Sequence, residues 1–193
     1  MVASDERLSC TGRPAAAYRS SGVRPHISCE EAYASDEGQS IEFKSSLRWD
    51  YQKEEVNREL EASVVKTVAA FLNADGGVLL IGVNDRKQVL GLHRDYTTLK
   101  EKPNKDGWEL HLQQVLTSAF GSEFYARNVR VGFCKFGDKD VCIVTVSRSR
   151  KPVFVQEATR SGRTDTLYVR VGNSTKALTT KEALAYAEGH WGG

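Results

Sequence analysis

A chain of 193 residues can form one domain with a proper core and is short for two. Its 27 Lys and Arg nearly cancel its 25 Asp and Glu, leaving +2, so no global field requires a nucleic-acid or membrane partner and such a claim must rest on local clustering. The opening residues include acids and no apolar leader core, no run is long and apolar enough to span a membrane, and the four cysteines include no Cys-x-x-Cys pair, so a reduced, soluble, cytoplasmic protein is expected.

Residues 1–34 are rich in Ser, Arg, Gly, Ala and Pro and offer little apolar surface to offset the entropy of ordering. They read as a flexible arm ending in a short helical turn around Cys29 to Ala34, with the domain occupying 35–193. From Glu37 a strand is expected. Ile41 and Phe43 alternate with Ser40, Glu42 and Lys44, which gives one apolar face, and Gly38 can break the alternation so that Glu37 and Glu42 converge. A polar loop through Arg48, Trp49 and Asp50 follows.

Leu60, Val64, Val68, Phe71 and Leu72 have the spacing of a helix that buries one stripe and ends at Asn73. Gly76-Gly77 reads as a tight turn needing positive φ. The unbroken run Val78 to Ile81 then reads as a central strand buried on both faces, with a turn at Asn84 to Lys87 and a short return strand. Trp108, Leu112, Val115, Leu116 and Ala119 signal a second helix stopping near Gly121. Val129 to Phe136 and Val141 to Val146 form a hairpin, which makes Cys134 and Cys142 neighbours and small packed thiols. Strands at Lys151 to Val155 and Thr166 to Val171 flank a polar loop of Arg160, Ser161, Gly162 and Arg163. Thr179-Thr180-Lys181-Glu182 is a capping box opening a last helix. The class is α+β: one compact lobe with a mixed sheet, hairpins and about three helices.

Three acids stand out. Glu42 on one strand and Asp85 past the end of its neighbour could meet at a sheet edge with Glu37, and carboxylates that close call for a hard divalent cation, Mg²⁺ or Mn²⁺. Such an ion could assist phosphodiester cleavage, although acids at strand ends are more often solvated. No P-loop sequence occurs, so a nucleotide cofactor is unsupported. In the last third, Arg148, Arg150, Lys151, Arg160, Arg163, Arg170 and Lys176 face only Glu157 and Asp165, with Phe154 and Tyr168 interleaved. This composition suits a nucleic-acid surface and equally a solvated basic face.

Several stretches, in order, resemble the Schlafen AlbA-type (AlbA_2) domain. They are Glu37-Gly38-Gln39-Ser40-Ile41-Glu42-Phe43-Lys44, Phe71-Leu72-Asn73-Ala74-Asp75-Gly76-Gly77, Leu80-Ile81-Gly82-Val83-Asn84-Asp85 with Gly91, Lys151-Pro152-Val153-Phe154, and Leu167 to Thr175. The resemblance implies a nucleic-acid-binding domain related to the Schlafen core endoribonucleases, which cleave structured RNA such as tRNA with a metal held by two glutamates and an aspartate. Matched by motif, those acids fall on Glu37, Glu42 and Asp85 as both catalytic and metal-binding residues, while Lys44 and the basic stretch would position phosphates. RNA is favoured over DNA. Schlafen cores pair two lobes around a positive groove and include a zinc site, whereas this chain has one lobe and no zinc spacing, so a homodimer would supply the second. The alternatives are a non-catalytic DNA- or RNA-binding module and a protein-interaction or regulatory domain.

Overall fold

Side-chain caps decide where the helices begin in the computed structural model, which describes residues 27–159 and 162–192. The first helix, α1 (Cys29–Ala34), opens on a reciprocal capping box between Ser28 and Glu31. The long helix α2 (Arg58–Asn73) opens on Asn57, whose side chain accepts from the Glu59 N–H, and α6 (Thr180–Trp191) opens on the expected Thr179–Glu182 box. The C-terminal half of α2, from Thr67 to Asn73, is buried on every side, so it forms the spine of the core.

After α2 the chain turns within two glycines. Gly76 has φ +80°, and a Cβ there would lie 2.4 Å from the Val146 carbonyl oxygen. A Cβ on Gly77 would lie 2.4 Å from the Phe71 ring. The pair is therefore a steric requirement of the turn. The run it releases is β4 (Gly77–Ile81), buried throughout.

A four-stranded sheet has the order β1 (Ile41–Lys44), β4, β6 (Lys139–Val146), β5 (Val129–Phe136). The first pair is parallel, with Glu42 opposite Leu79, and the others are antiparallel, with Val129 opposite Val146. One face, carrying Leu79, Ile81 and Val144, packs with α2 and with Trp108, Leu112 and Leu116 of α4 (Lys105–Phe120). The other, carrying Val78 and Leu80, packs with Cys29 and Ala32 of α1. Alternation along β4 thus feeds two separate clusters, which explains its unbroken apolar run. A three-stranded antiparallel sheet of β7 (Phe154–Thr159), β8 (Gly162–Val171) and β9 (Ser174–Ala177) lies on α2. Asn73, fully buried, fastens it by donating to the Val153 and Tyr168 carbonyls and accepting from the Val153 N–H.

The α+β class and the main elements agree with expectation; the short ones depart from it. Among the described residues there are six helices where about three were expected, the additions including α3 (His93–Thr97) and α5 (Ser122–Asn128). Trp49–Asp50 (β2) and Glu55–Val56 (β3) pair where a polar loop was expected, and Gly162 and Arg163 belong to β8 rather than to a loop. The first strand begins at Ile41, after a turn in which the Gly38 N–H donates to the Ile41 carbonyl. The helix at Cys29 is present and packed into the core, so order extends ahead of the expected boundary at Ser35; the arm before residue 27 lies outside the described residues. Cys142 is a buried free thiol, as expected, but Cys134 is bonded to Cys29 in a disulfide, correcting the packed-thiol reading. Among the described residues no helix is long and apolar enough to cross a membrane.

Candidate functional site

Strand alternation turns Glu42 away from the side of β1 that carries Ile41 and Phe43, and it meets β8. Its Oε2 accepts from Arg170 Nη1 at 2.9 Å and its Oε1 pairs with Lys44. Arg170 has no exposed side-chain surface. Its guanidinium also donates to Thr175 Oγ1 at 3.1 Å and to the Gly38 carbonyl at 2.6 Å, and it lies over the Phe71 ring. Gln39 adds a bridge between the same segments, donating to the Arg170 carbonyl and accepting from the Gly172 N–H. Glu37 is occupied differently: its Oε1 accepts from the Phe43 N–H at 2.8 Å, covering a backbone donor on an edge strand. Asp85 is exposed on the turn after β4 and has no hydrogen-bond or ion-pair partner among the described residues.

Among the described residues no three or more His, Cys, Asp or Glu form a group that could hold a metal ion. Glu37, Glu42 and Asp85 therefore do not fit the expected Mg²⁺ or Mn²⁺ site in this arrangement. The cause is local: Arg170 and Lys44 supply the neutralisation that Glu42 would otherwise take from a metal.

The expected basic stretch also divides. Arg170 is buried against Glu42, Lys44 is tied to the same carboxylate, Lys176 pairs with Glu182 at 3.2 Å, and Arg163 sits on β8 hydrogen-bonded to Gln156. Arg160 lies outside the described residues. Tyr168 is core and Phe154 is 47% exposed.

Arg148, Arg150 and Lys151 remain, on the segment leaving β6, and they are exposed. That backbone is braced from three sides. The Ser147 N–H donates to the Asn128 carbonyl, the Ser149 N–H to the Leu72 carbonyl, and Trp191 Nε1 to the Ser149 carbonyl. The β5–β6 register brings Arg127 and Arg130 alongside. Asn128 between them donates to the Ser147 and Arg148 carbonyls, and Lys151 Nζ lies 5.1 Å from the centre of the Phe124 ring of α5. Five cations, Arg127, Arg130, Arg148, Arg150 and Lys151, thus collect at one end of the sheet. The carboxylates paired with them are Glu123, 3.6 Å from Arg127, and Asp75, 3.8 Å from Arg148. His190 borders this end, and its basicity is lowered, chiefly by burial and then by the charge of Arg148.

A family model for Schlafen, AlbA_2 matches residues 37–179. The chain belongs to the Schlafen AlbA_2 family. The matched span runs through all three sheets described in this AlbA_2 lobe and leaves α1 and α6 outside it. Among solved structures, the DIP2311 protein of Corynebacterium diphtheriae superposes with a TM-score of 0.53 at 19% identity, over 79% of this chain and 27% of that one, a likeness of fold. The AlbA_2 lobe spans about a quarter of that protein's length. No curated protein matches the sequence.

Sequence reading of the lobe missed Arg127 and Arg130: Arg127 sits in α5, a short helix that buries no residue and so leaves little periodic trace, and Arg130 is an exposed position at the start of β5. The signal that finds them is the hairpin: once Val129 opposes Val146, the residues flanking each must be neighbours. It also missed Asp95. This buried carboxylate accepts from the Ser46 hydroxyl, the backbone N–H groups of Leu47, Arg48 and Trp49, and the indole N–H of Trp108, so it shapes the loop after β1.

Proposed function

We propose that the chain is a nucleic-acid-binding domain that holds phosphates on the basic end formed by Arg127, Arg130, Arg148, Arg150 and Lys151. The observation that carries this reading is the bracing of that segment by α2, α5 and α6, with Arg150 and Lys151 free of carboxylate partners among the described residues. Cations carried on a backbone already fixed in place have only their side chains to order on meeting a polyanion, and each contact releases its counterions. Family membership supports the same ligand class, and RNA is the polyanion the resemblance favours. The proposal stops at binding. Cleavage through a divalent ion on Glu37, Glu42 and Asp85 would require Glu42 to give up both Arg170 and Lys44.

Fluorescence anisotropy with a labelled RNA hairpin tests it. The double variant Arg150→Glu/Lys151→Glu should bind at least about tenfold more weakly at moderate salt with an unchanged melting temperature. Equal affinity for variant and wild type would remove the basic end from the account. No binding by wild type at any salt would favour the protein-interaction reading.

A further inference from the structure

At the opposite end of β4 from the basic residues, a groove of about 630 Å³ opens between the loop after β1 and the turn after β4. Its volume lies in the usual range for small-ligand sites. Trp49, Tyr51 and Leu60 give it apolar surface, and Gln52, Asp85 and Arg86 line it with polar groups. Both walls are held from behind. On one side Asp95 fixes the backbone from Leu47 to Trp49, and Asp50 accepts from the Asn57 side chain. On the other, Asn84 Oδ1 accepts from the Arg86 and Gln88 N–H groups, while Tyr33 donates to the Lys87 carbonyl and Asp36 pairs with Lys87.

The groups facing the groove are, by contrast, unspent. The Trp49 indole N–H, the Gln52 amide, the Asp85 carboxylate and the Arg86 guanidinium have no hydrogen-bond partner among the described residues. Arg94 lies 5.8 Å from the centre of the Trp49 ring and stiffens that platform. Local charge is mixed, with Asp50 and Asp85 against Arg86 and Arg94, so simple polyanion attraction does not explain the site. What it offers is ring surface beside hydrogen-bonding groups of both polarities. An unpaired nucleobase presents that combination of flat face and polar edge; a base inside a duplex has both faces covered by its neighbours.

We propose that this groove takes an unpaired nucleotide of a single-stranded nucleic acid, its base against Trp49 and Tyr51 and its phosphate at Arg86. The inference rests on the nucleic-acid reading above and deepens it. The basic end supplies salt-sensitive grip and the groove supplies selection for single strands. Neither Asp85 nor any other group here is given a part in cleavage.

The test compares a mixed-sequence 12-nucleotide RNA, its duplex and free AMP as ligands of the full chain, over a range of salt. Trp49→Ala and Arg86→Ala should each weaken single-strand binding and leave duplex affinity unchanged; Trp49→Ala should do so by about tenfold with the salt slope unaltered, whereas Arg86→Ala should make the single-strand slope shallower by about 1. Trp49→Phe should restore most of the loss, which separates stacking from misfolding, and Arg86 lies on an exposed turn where truncation does not disturb the core. If the single strand is bound equally by wild type, Trp49→Ala and Arg86→Ala, the groove is excluded while the basic end can stand. If Arg150→Glu/Lys151→Glu binds normally while Trp49→Ala does not, the groove stands and the basic-end reading falls. Tight binding of AMP with no preference for the strand would overturn the single-strand assignment, and failure of wild type to bind any of the three would remove both readings.

Discussion

The pocket around Glu42 and Arg170 and the platform from Arg148 to Lys151 are made from the same residue types, and they have opposite fates. In the first, an arginine with no exposed side-chain surface is enclosed by a carboxylate, a hydroxyl and a carbonyl and lies over a phenylalanine ring. In the second, the backbone is tied down while the charged heads stay in water. Both are charge clusters, but burial spends the charge on holding β1 to β8, and exposure leaves it for a ligand. Desolvation decides between the two, because a buried ion that loses its partner pays far more than an exposed one.

The comparison implies a double dissociation. Arg170→Met, which strands Glu42 in a mostly buried setting, should cost about 3 to 5 kcal/mol of stability in urea unfolding and leave the nucleic-acid affinity of the folded fraction unchanged. A stability loss below about 1 kcal/mol would mean that the pair is no more than a surface ion pair. Removing the Cys29–Cys134 bond by Cys29→Ser, which opens a link across 105 residues, should cost about 2 to 4 kcal/mol in the same assay, again without effect on binding. The smallest effect concerns the border of the basic end. Because burial and then Arg148 lower the basicity of His190, against the opposing pull of Asp75, the fold prefers the neutral imidazole. That contribution is complete above the ordinary value of 6.5 and is lost as pH falls through the lower value of the folded state. Melting curves at pH 7.5 and pH 5 should show a modest fall that His190→Phe reduces, and an identical fall in the variant would place the titrating group elsewhere.

What could be read in the residues beforehand follows the same division between local and distant chemistry. The β4 strand was legible because Val78 to Ile81 is apolar without a break, and α6 because Thr179 and Glu182 cap each other within one turn. Gly76 announced its turn by position alone. Nothing near Glu42 discloses Arg170, which is 128 positions away and arrives through the pairing of a different sheet. The motif spacing brought Glu37, Glu42 and Asp85 forward as a set, and the alternation of Glu42 with Ile41 and Phe43 along β1 was read correctly. Which partner each acid meets depends on β8, on the edge N–H of Phe43 and on a turn that stands out into solvent. Similarly, α3 exists where the carboxylate of Asp95 gathers distant donors, a cause invisible to periodicity.

The salt dependence of RNA affinity tests the central claim most directly, measured in EDTA for wild type and for Arg150→Glu/Lys151→Glu. The account predicts full binding without divalent ions, a log–log slope that is steep for wild type, and a slope shallower by about 2 in the double variant. Binding that needs Mg²⁺ or Mn²⁺, or an unchanged slope in the variant, would contradict it.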